Sequence, residues 1–231
     1  MANTCVFRRV EQKYTVTTAQ MEMLTECFAQ FVLPDIYPTY TLCNVYYDTE
    51  NNDLIRRSVE KPCFKEKMRL RSYGIPGDED NVFLEIKRKY DSTVYKRRIV
   101  DTYRSVMDYL ERGIINGSGQ IFAEIEYFRS IYDLSPKMFI AYDRKAFCGR
   151  ENKDLRVTFD SDIRYRTNNV DLTDDSGERL MDCGLHIMEI KANGAMPKEM
   201  ADILCDKGIY PSPFSKYGRA YIKEKKKGRI I

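Results

Sequence analysis

The sequence predicts an α+β fold: an antiparallel, closed β-barrel with a basic lumen and helices packed outside. Three observations predict it. At least six candidate strands alternate between apolar and charged residues, cations dominate the charged face, and helical stretches lie between strands to cover the apolar face. One such strand would suit an ordinary half-buried sheet with its charges in solvent. Repetition across six favours a sheet that curls or closes, with the charges turned inward.

Each element follows from local pattern. Residues 6–16 read as a strand with Arg9, Glu11 and Lys13 on one side and Val10 and Tyr14 on the other. Thr17 and Thr18 cap a helix reaching about residue 31, with Met21, Leu24, Phe28 and Phe31 along one side. Pro34 and Pro38 are expected to close that element. Residues 41–48 predict a strand, and 52–59 a short helix or turn. A meander follows over 65–73, 82–90 and 94–101, broken at Gly74-Ile75-Pro76-Gly77 and at Asp91-Ser92. In it, Lys65, Lys67, Arg69 and Arg71 oppose Phe64, Met68 and Leu70. Glu85, Lys87 and Lys89 oppose Val82, Leu84 and Ile86, and Lys96 and Arg98 oppose Tyr95 and Ile99. Helices are predicted over 103–112 and 120–133, and strands over 137–147, 155–166 and 185–192. Arg156, Thr158, Asp160 and Asp162 oppose Leu155, Val157, Phe159 and Ile163, while Glu189 and Lys191 oppose Met188 and Ile190. Helices over 197–207 and 215–226 complete the chain, the last one basic.

The 231 residues suit one domain spanning 1–231, and 43% hydrophobic content supplies its core. Charged residues make up 32%, and no run approaches the ~18 apolar residues of a spanning helix. Nothing at the N-terminus reads as a secretory signal, so the expected location is cytoplasmic. Seven scattered cysteines without a C-x-x-C pair argue against a disulfide framework or zinc knuckle. The single histidine, His186, falls on the face opposite Glu189 and is expected to pack against a helix. No Gly-rich phosphate loop is present. A net charge of +3 is too small to announce a nucleic-acid partner, and none is expected.

A lumen crowded with cations is costly when empty, because like charges repel and desolvation is compensated only by pairing. A polyanion supplies that compensation, and triphosphate or longer phosphate chains suit Arg and Lys donors. Glu11, Glu85 and Glu189 are placed to pair with the cations or to hold a hard divalent ion.

These residues resemble the triphosphate tunnel fold, and more closely its polyphosphate polymerase branch, the vacuolar transporter chaperone (VTC) catalytic domain. The markers are Glu11-Gln12-Lys13-Tyr14, Arg69-Leu70-Arg71, Leu84-Glu85-Ile86-Lys87 and Tyr95-Lys96-Arg97-Arg98. They continue in Tyr142-Asp143-Arg144, Leu155-Arg156-Val157, Met188-Glu189-Ile190-Lys191 and Phe214-Ser215-Lys216-Tyr217. The resemblance implies an enzyme that extends inorganic polyphosphate from ATP with Mn2+ or Mg2+. It implies phosphate contacts and catalytic roles for Lys13, Arg69, Arg71, Lys87, Lys96, Arg144 and Arg156, with Glu189 as metal ligand. Glu11, Lys89, Arg98, Lys191, Ser215 and Lys216 would add substrate contacts.

Two departures qualify it. Arg9 stands where hydrolases and capping enzymes of the wider group carry the first Glu of E-x-E-x-K, which favours the polymerase branch. The accessory and membrane-spanning domains of larger VTC proteins are not in this sequence. Two other readings stay open: a triphosphatase of the same fold, and a non-catalytic polyphosphate sensor.

Overall fold

Alternating side chains along antiparallel strands give the sheet two unlike faces, and helices cover whichever face is apolar. The computed structural model describes residues 9–60, 62–91, 93–114 and 117–230, and of Arg9 the backbone alone. The predicted strand start at 6–8, the Arg9 side chain and Ser92 lie outside the described residues.

In chain order the elements are β1 (Arg9–Thr17), α1 (Thr18–Phe28), β2 (Val32–Asp48), α2 (Asp53–Val59), β3 (Phe64–Tyr73), β4 (Asn81–Tyr90) and β5 (Thr93–Thr102). Then come α3 (Tyr103–Arg112), α4 (Gln120–Ile131), β6 (Ser135–Gly149), β7 (Arg156–Arg166), β8 (Glu178–Arg179), β9 (Leu185–Asn193), α5 (Lys198–Asp206) and α6 (Lys216–Lys226). The strands form one antiparallel sheet in the order β1-β9-β7-β6-β2-β3-β4-β5, with the short β8 added to β7.

Among the described residues β1 and β5 end this order and do not pair with each other, so hydrogen bonds do not close the expected barrel. The free edge of β1 is met instead by the connector between α5 and α6. There Ser212 N–H donates to the Lys13 carbonyl at 2.7 Å, and the Ser212 and Thr15 hydroxyls lie 3.1 Å apart. The sheet is nonetheless strongly curled. Lys87 of β4 feels the charges of Glu11 and Lys13 on β1 and of Glu189 on β9, near the opposite end of the strand order.

Two apolar cores lie on the convex face. Val45, Met68, Leu70, Leu84 and Ile86 pack under Val106 and Tyr109 of α3 and Ile125 and Phe128 of α4. Tyr14, Val16, Val157, Met188 and Ile190 pack under Met21, Leu24 and Phe28 of α1 and Met200 and Leu204 of α5.

A third core corrects the expectation that all helices pack outside. Tyr46, Met138, Ile140, Tyr142 and Ile187 point to the concave face, where Tyr217, Ala220 and Tyr221 of α6 bury them. Helix α6 therefore plugs one end of the concavity.

Two further corrections follow from irregular strands. Pro34 and Pro38 do not end an element but lie within β2, where the register steps from Pro34↔Phe147 to Thr39↔Lys145 and residues 35–38 bulge out. A bulge is where a strand tolerates proline. On β7, Asp162 takes a left-handed φ of 43° at a bulge facing β6. The extra residue reverses the alternation, so Ile163 and Tyr165 join the concave core instead of the convex face assigned to Ile163. Helix α1 starts as its sequence predicts, with Thr17 and Gln20 forming a reciprocal cap, but it stops at Phe28 rather than near residue 31.

Candidate active site on the concave face

Beyond the α6 plug, the concave face is lined by the polar side chains of the alternating strands. Arg69 of β3 directs Nε and Nη2 to the same Glu85 oxygen, each at 2.7 Å, and Lys96 of β5 reaches the other oxygen at 2.5 Å. Glu85 is 1% exposed. The Tyr46 hydroxyl accepts from Arg69 Nη1 at 3.3 Å, and the Asn44 side-chain Oδ1 accepts from Arg71 Nε at 2.9 Å. On the other wall, Arg144 of β6 grips both oxygens of the fully buried Asp160, at 2.6 and 2.9 Å. Lys216 of α6 completes that carboxylate at 2.5 Å. Lys191 and Glu189 on β9 pair at 2.5 Å, and Lys13 and Glu11 on β1 at 3.1 Å. The connector ties the two walls: Lys13 Nζ donates to the Phe214 carbonyl and Lys67 Nζ to Ser215 Oγ, both at 3.2 Å.

The field in this basin is strongly positive. Burial alone would raise the phenol pKa values of Tyr46 and Tyr142, yet both are lowered, the first chiefly by Arg69 and the second by Arg144, Arg71 and Lys216. Burial, aided by neighbouring cations, pulls Lys67 down to about 8. Burial also brings Lys96 to about 8, against the pull of Glu85. Lys87 is lowered as well, by burial first. For Glu85 and Glu189 burial works upward and is overcome by adjacent cations, which hold both carboxyls well below the usual range. Glu189 owes this chiefly to Lys191 and Lys13.

The structure gathers Lys13, Arg69, Arg71, Lys87, Lys96, Glu189 and Lys191 on one face, as the alternation predicts. It brings Arg144 of β6 and Lys216 of α6, which the alternation did not place, to the same face. Arg71 and Lys87 ion-pair with no carboxylate among the described residues. The remaining predicted residues are peripheral. Arg156 stands at the rim, half exposed, with its guanidinium on Asp35 at 2.8 Å. Arg98 lies over the Phe83 ring, and Lys89 pairs in register with Lys65 toward the far end of the meander. Ser215 caps α6 by accepting from Gly218 N–H. Sequence reasoning missed Asn44, Tyr46 and Asp160 as organising residues. The i, i+2 spacing of Asn44 and Tyr46 was the available signal, but neither carries charge to mark the face.

His186 does face a helix. Its Nδ1 lies 2.7 Å from Ser161 Oγ and its Nε2 2.9 Å from Thr18 Oγ1 of α1. Among the described residues no group of three His, Cys, Asp or Glu could form a metal cage. The donor set instead suits an ion that shares phosphate oxygens with substrate, a mode requiring one or two carboxylates. Glu189 would supply one, and the buried Thr158 hydroxyl, its cross-strand neighbour, has no hydrogen-bond partner among the described residues.

The architecture is shared with a solved structure. A Bacillus halodurans protein provisionally described as an adenylate cyclase superposes with a TM-score of 0.57 at 13% identity, covering 90% of this chain and 94% of its own. The PH1819 protein of Pyrococcus horikoshii OT3 gives 0.48 at 12% identity, covering 94% of this chain and 99% of its own. No curated protein sequence matches significantly. No described helix is long and apolar enough to cross a membrane. The model of the VTC domain matches residues 8–224, a span that contains every strand of the basin, and the chain belongs to that family.

Proposed function

We propose that the chain is a polyphosphate polymerase, transferring the γ-phosphate of a nucleoside triphosphate, ATP in the first instance, to a growing inorganic polyphosphate chain. The observation that carries this reading is the convergence of Arg69, Arg71, Lys87, Lys96, Arg144 and Lys13 on one basin, with Arg71 and Lys87 in no ion pair among the described residues. Family membership supports polymerisation over other uses of such a basin.

Phosphoryl transfer asks for in-line placement and charge cancellation rather than covalent chemistry from the protein. Arg69 and Arg144 are pinned by buried carboxylates, so their remaining N–H groups are pre-aimed. A terminal oxygen of the bound phosphate chain attacks the γ-phosphorus. The new P–O–P bond forms as the bond to the β-phosphate oxygen breaks, and the nucleoside diphosphate leaves carrying the electron pair. A phosphate nucleophile is anionic at neutral pH, so no general base is required. The only histidine lies on the opposite face of β9 from Glu189. Mn2+ or Mg2+, held by Glu189 with phosphate oxygens, would neutralise charge on the transferring group.

Purified protein with ATP and Mn2+ should give a ladder of lengthening polyphosphate on a gel, with matching release of ADP. Phosphate without a ladder would reassign the basin to a triphosphatase. Salt-sensitive polyphosphate binding without turnover would make it a sensor.

A further inference from the structure

The concave face carries one group of side chains that phosphate recognition does not use. Past the cations, at the end remote from α6, Tyr40 of β2, Tyr73 of β3 and Phe83 of β4 stand side by side. Tyr40 and Tyr73 have ring centroids 5.3 Å apart and tilted, while Tyr73 and Phe83 meet edge to face at 5.6 Å. All three share the basin face. Tyr40 pairs in register with Arg144, Tyr73 lies two residues beyond Arg71, and Phe83 two residues before Glu85. The Arg98 guanidinium covers Phe83 at 4.9 Å from the ring centroid. Tyr73 is 54% exposed, and Val100, the register partner of Phe83, is 48% exposed. An aromatic shelf thus lies partly open to solvent beside the cations of the basin.

The geometry points to this shelf as the seat of the nucleoside: the base stacks on Tyr73 and Phe83 while the phosphates run inward onto Arg71 and Arg144. Tyr73 lies two strand residues, about 7 Å, beyond Arg71, a distance a ribose spans, while Phe83 stands level with Arg71 as its register partner. Tyr40 links the parts, since Arg144 acts directly on its phenol. Aromatic faces with an adjacent guanidinium stack any base, so the shelf favours nucleotides over bare phosphate chains with little choice among bases. Donor and acceptor could then be distinguished within one basin: the nucleotide engages the shelf, and polyphosphate does not.

This inference rests on the basin binding triphosphates, and the test separates the two. Binding of ATP and of inorganic tripolyphosphate is measured in EDTA, so that no turnover intervenes. Tyr73→Ala and Phe83→Ala should each weaken ATP about tenfold and leave tripolyphosphate unchanged, while Tyr73→Phe keeps wild-type ATP affinity. Because the chain has no tryptophan, Phe83→Trp offers a direct signal: its fluorescence should be quenched by ATP and not by tripolyphosphate. Wild-type protein that binds neither ligand overturns the phosphate basin and the shelf with it. Wild-type protein that binds both, with alanine variants that change neither or weaken both alike, overturns the shelf alone. Equal quenching by both ligands does the same.

Discussion

Tyr46 and Tyr40 leave the same face of β2 six residues apart and both border the core under α6, yet only Tyr46 is sealed by it. Tyr46 is 9% exposed and stacks on Tyr217 of α6, centroid to centroid at 4.4 Å. Tyr40 is only partly buried and packs on the half-exposed Tyr73. Between them on that face lie Asn44, level with Arg71, and the buried Leu42, while Arg69 is level with Tyr46 and Arg144 with Tyr40. One concave surface is therefore filled by a helix at one end and left for a ligand at the other. The filled end gains apolar burial; at the open end burial, with neighbouring cations adding to it, depresses the pKa values of the lysines. An enzyme that binds polyanions can use such an imbalance, because the ligand supplies the missing charge.

Asp160 is where the two ends are joined, since Arg144 faces the basin and Lys216 begins the plugging helix. Replacing it should have the largest effect on stability. Asp160→Asn leaves two cations around a buried neutral group, a change that typically costs about 3–5 kcal/mol. Denaturant melts should show that loss in the free protein, with tripolyphosphate restoring more stability to the variant than to wild type. Equal stabilisation of both would mean that the two ends are not coupled through this carboxylate.

Glu189→Gln addresses the open end alone. Turnover with Mn2+ should fall by at least about a hundredfold. The melting temperature should fall too, because a carboxylate held below its usual pKa contributes stability, but by less than for Asp160, since Lys191 and Lys13 retain access to solvent. Tripolyphosphate binding in EDTA should tighten or hold, as a negative charge has been removed. Undiminished turnover would take Glu189 out of the reaction.

Much of the open end was legible in the sequence because β3, β4 and β5 keep strict period-two alternation. Lys67, Arg69, Arg71, Glu85, Lys87 and Lys96 needed no tertiary information beyond the curl of the sheet. The filled end was not. Tyr217, Ala220 and Tyr221 mark an apolar face on α6, but helical periodicity does not say which side of a sheet that face covers. Bulges hid the rest: one extra residue at Asp162 inverts the alternation for Ile163, and the irregular register at 35–38 lets two prolines sit in a strand. The chemical roles came from the resemblance, since a basic face by itself does not separate polymerase, hydrolase and sensor.

The depressed lysines make the comparison testable by pH alone. Lys67 and Lys96 titrate near 8 in the folded chain, against about 10.4 when unfolded. Between those values the unfolded chain binds more protons, so stability of the free protein should rise with pH through that window and level off above it. Binding has the opposite sign, because anions favour the charged lysines: tripolyphosphate affinity should fall as pH passes 8. Thermal melts with and without tripolyphosphate from pH 7 to about 10.5 should converge. Parallel curves would show that these lysines do not face the ligand.

The smallest expected effect lies at the filled end and sets the boundary between the two regions. The Tyr217 hydroxyl donates to Asp48 at 3.0 Å, and that buried carboxylate also accepts from the backbone N–H groups of Thr49, Leu54 and Ile55. Because three backbone donors remain, Tyr217→Phe should cost only about 1 kcal/mol. The stacking on Tyr46 survives the change, so Arg69 keeps its hydroxyl partner and the basin its geometry. Tripolyphosphate affinity should therefore match wild type at every pH measured. A variant that loses affinity along with stability would show that the packing of α6 on Tyr46, and not only its Lys216, shapes the ligand site, and the two ends would have to be treated as one.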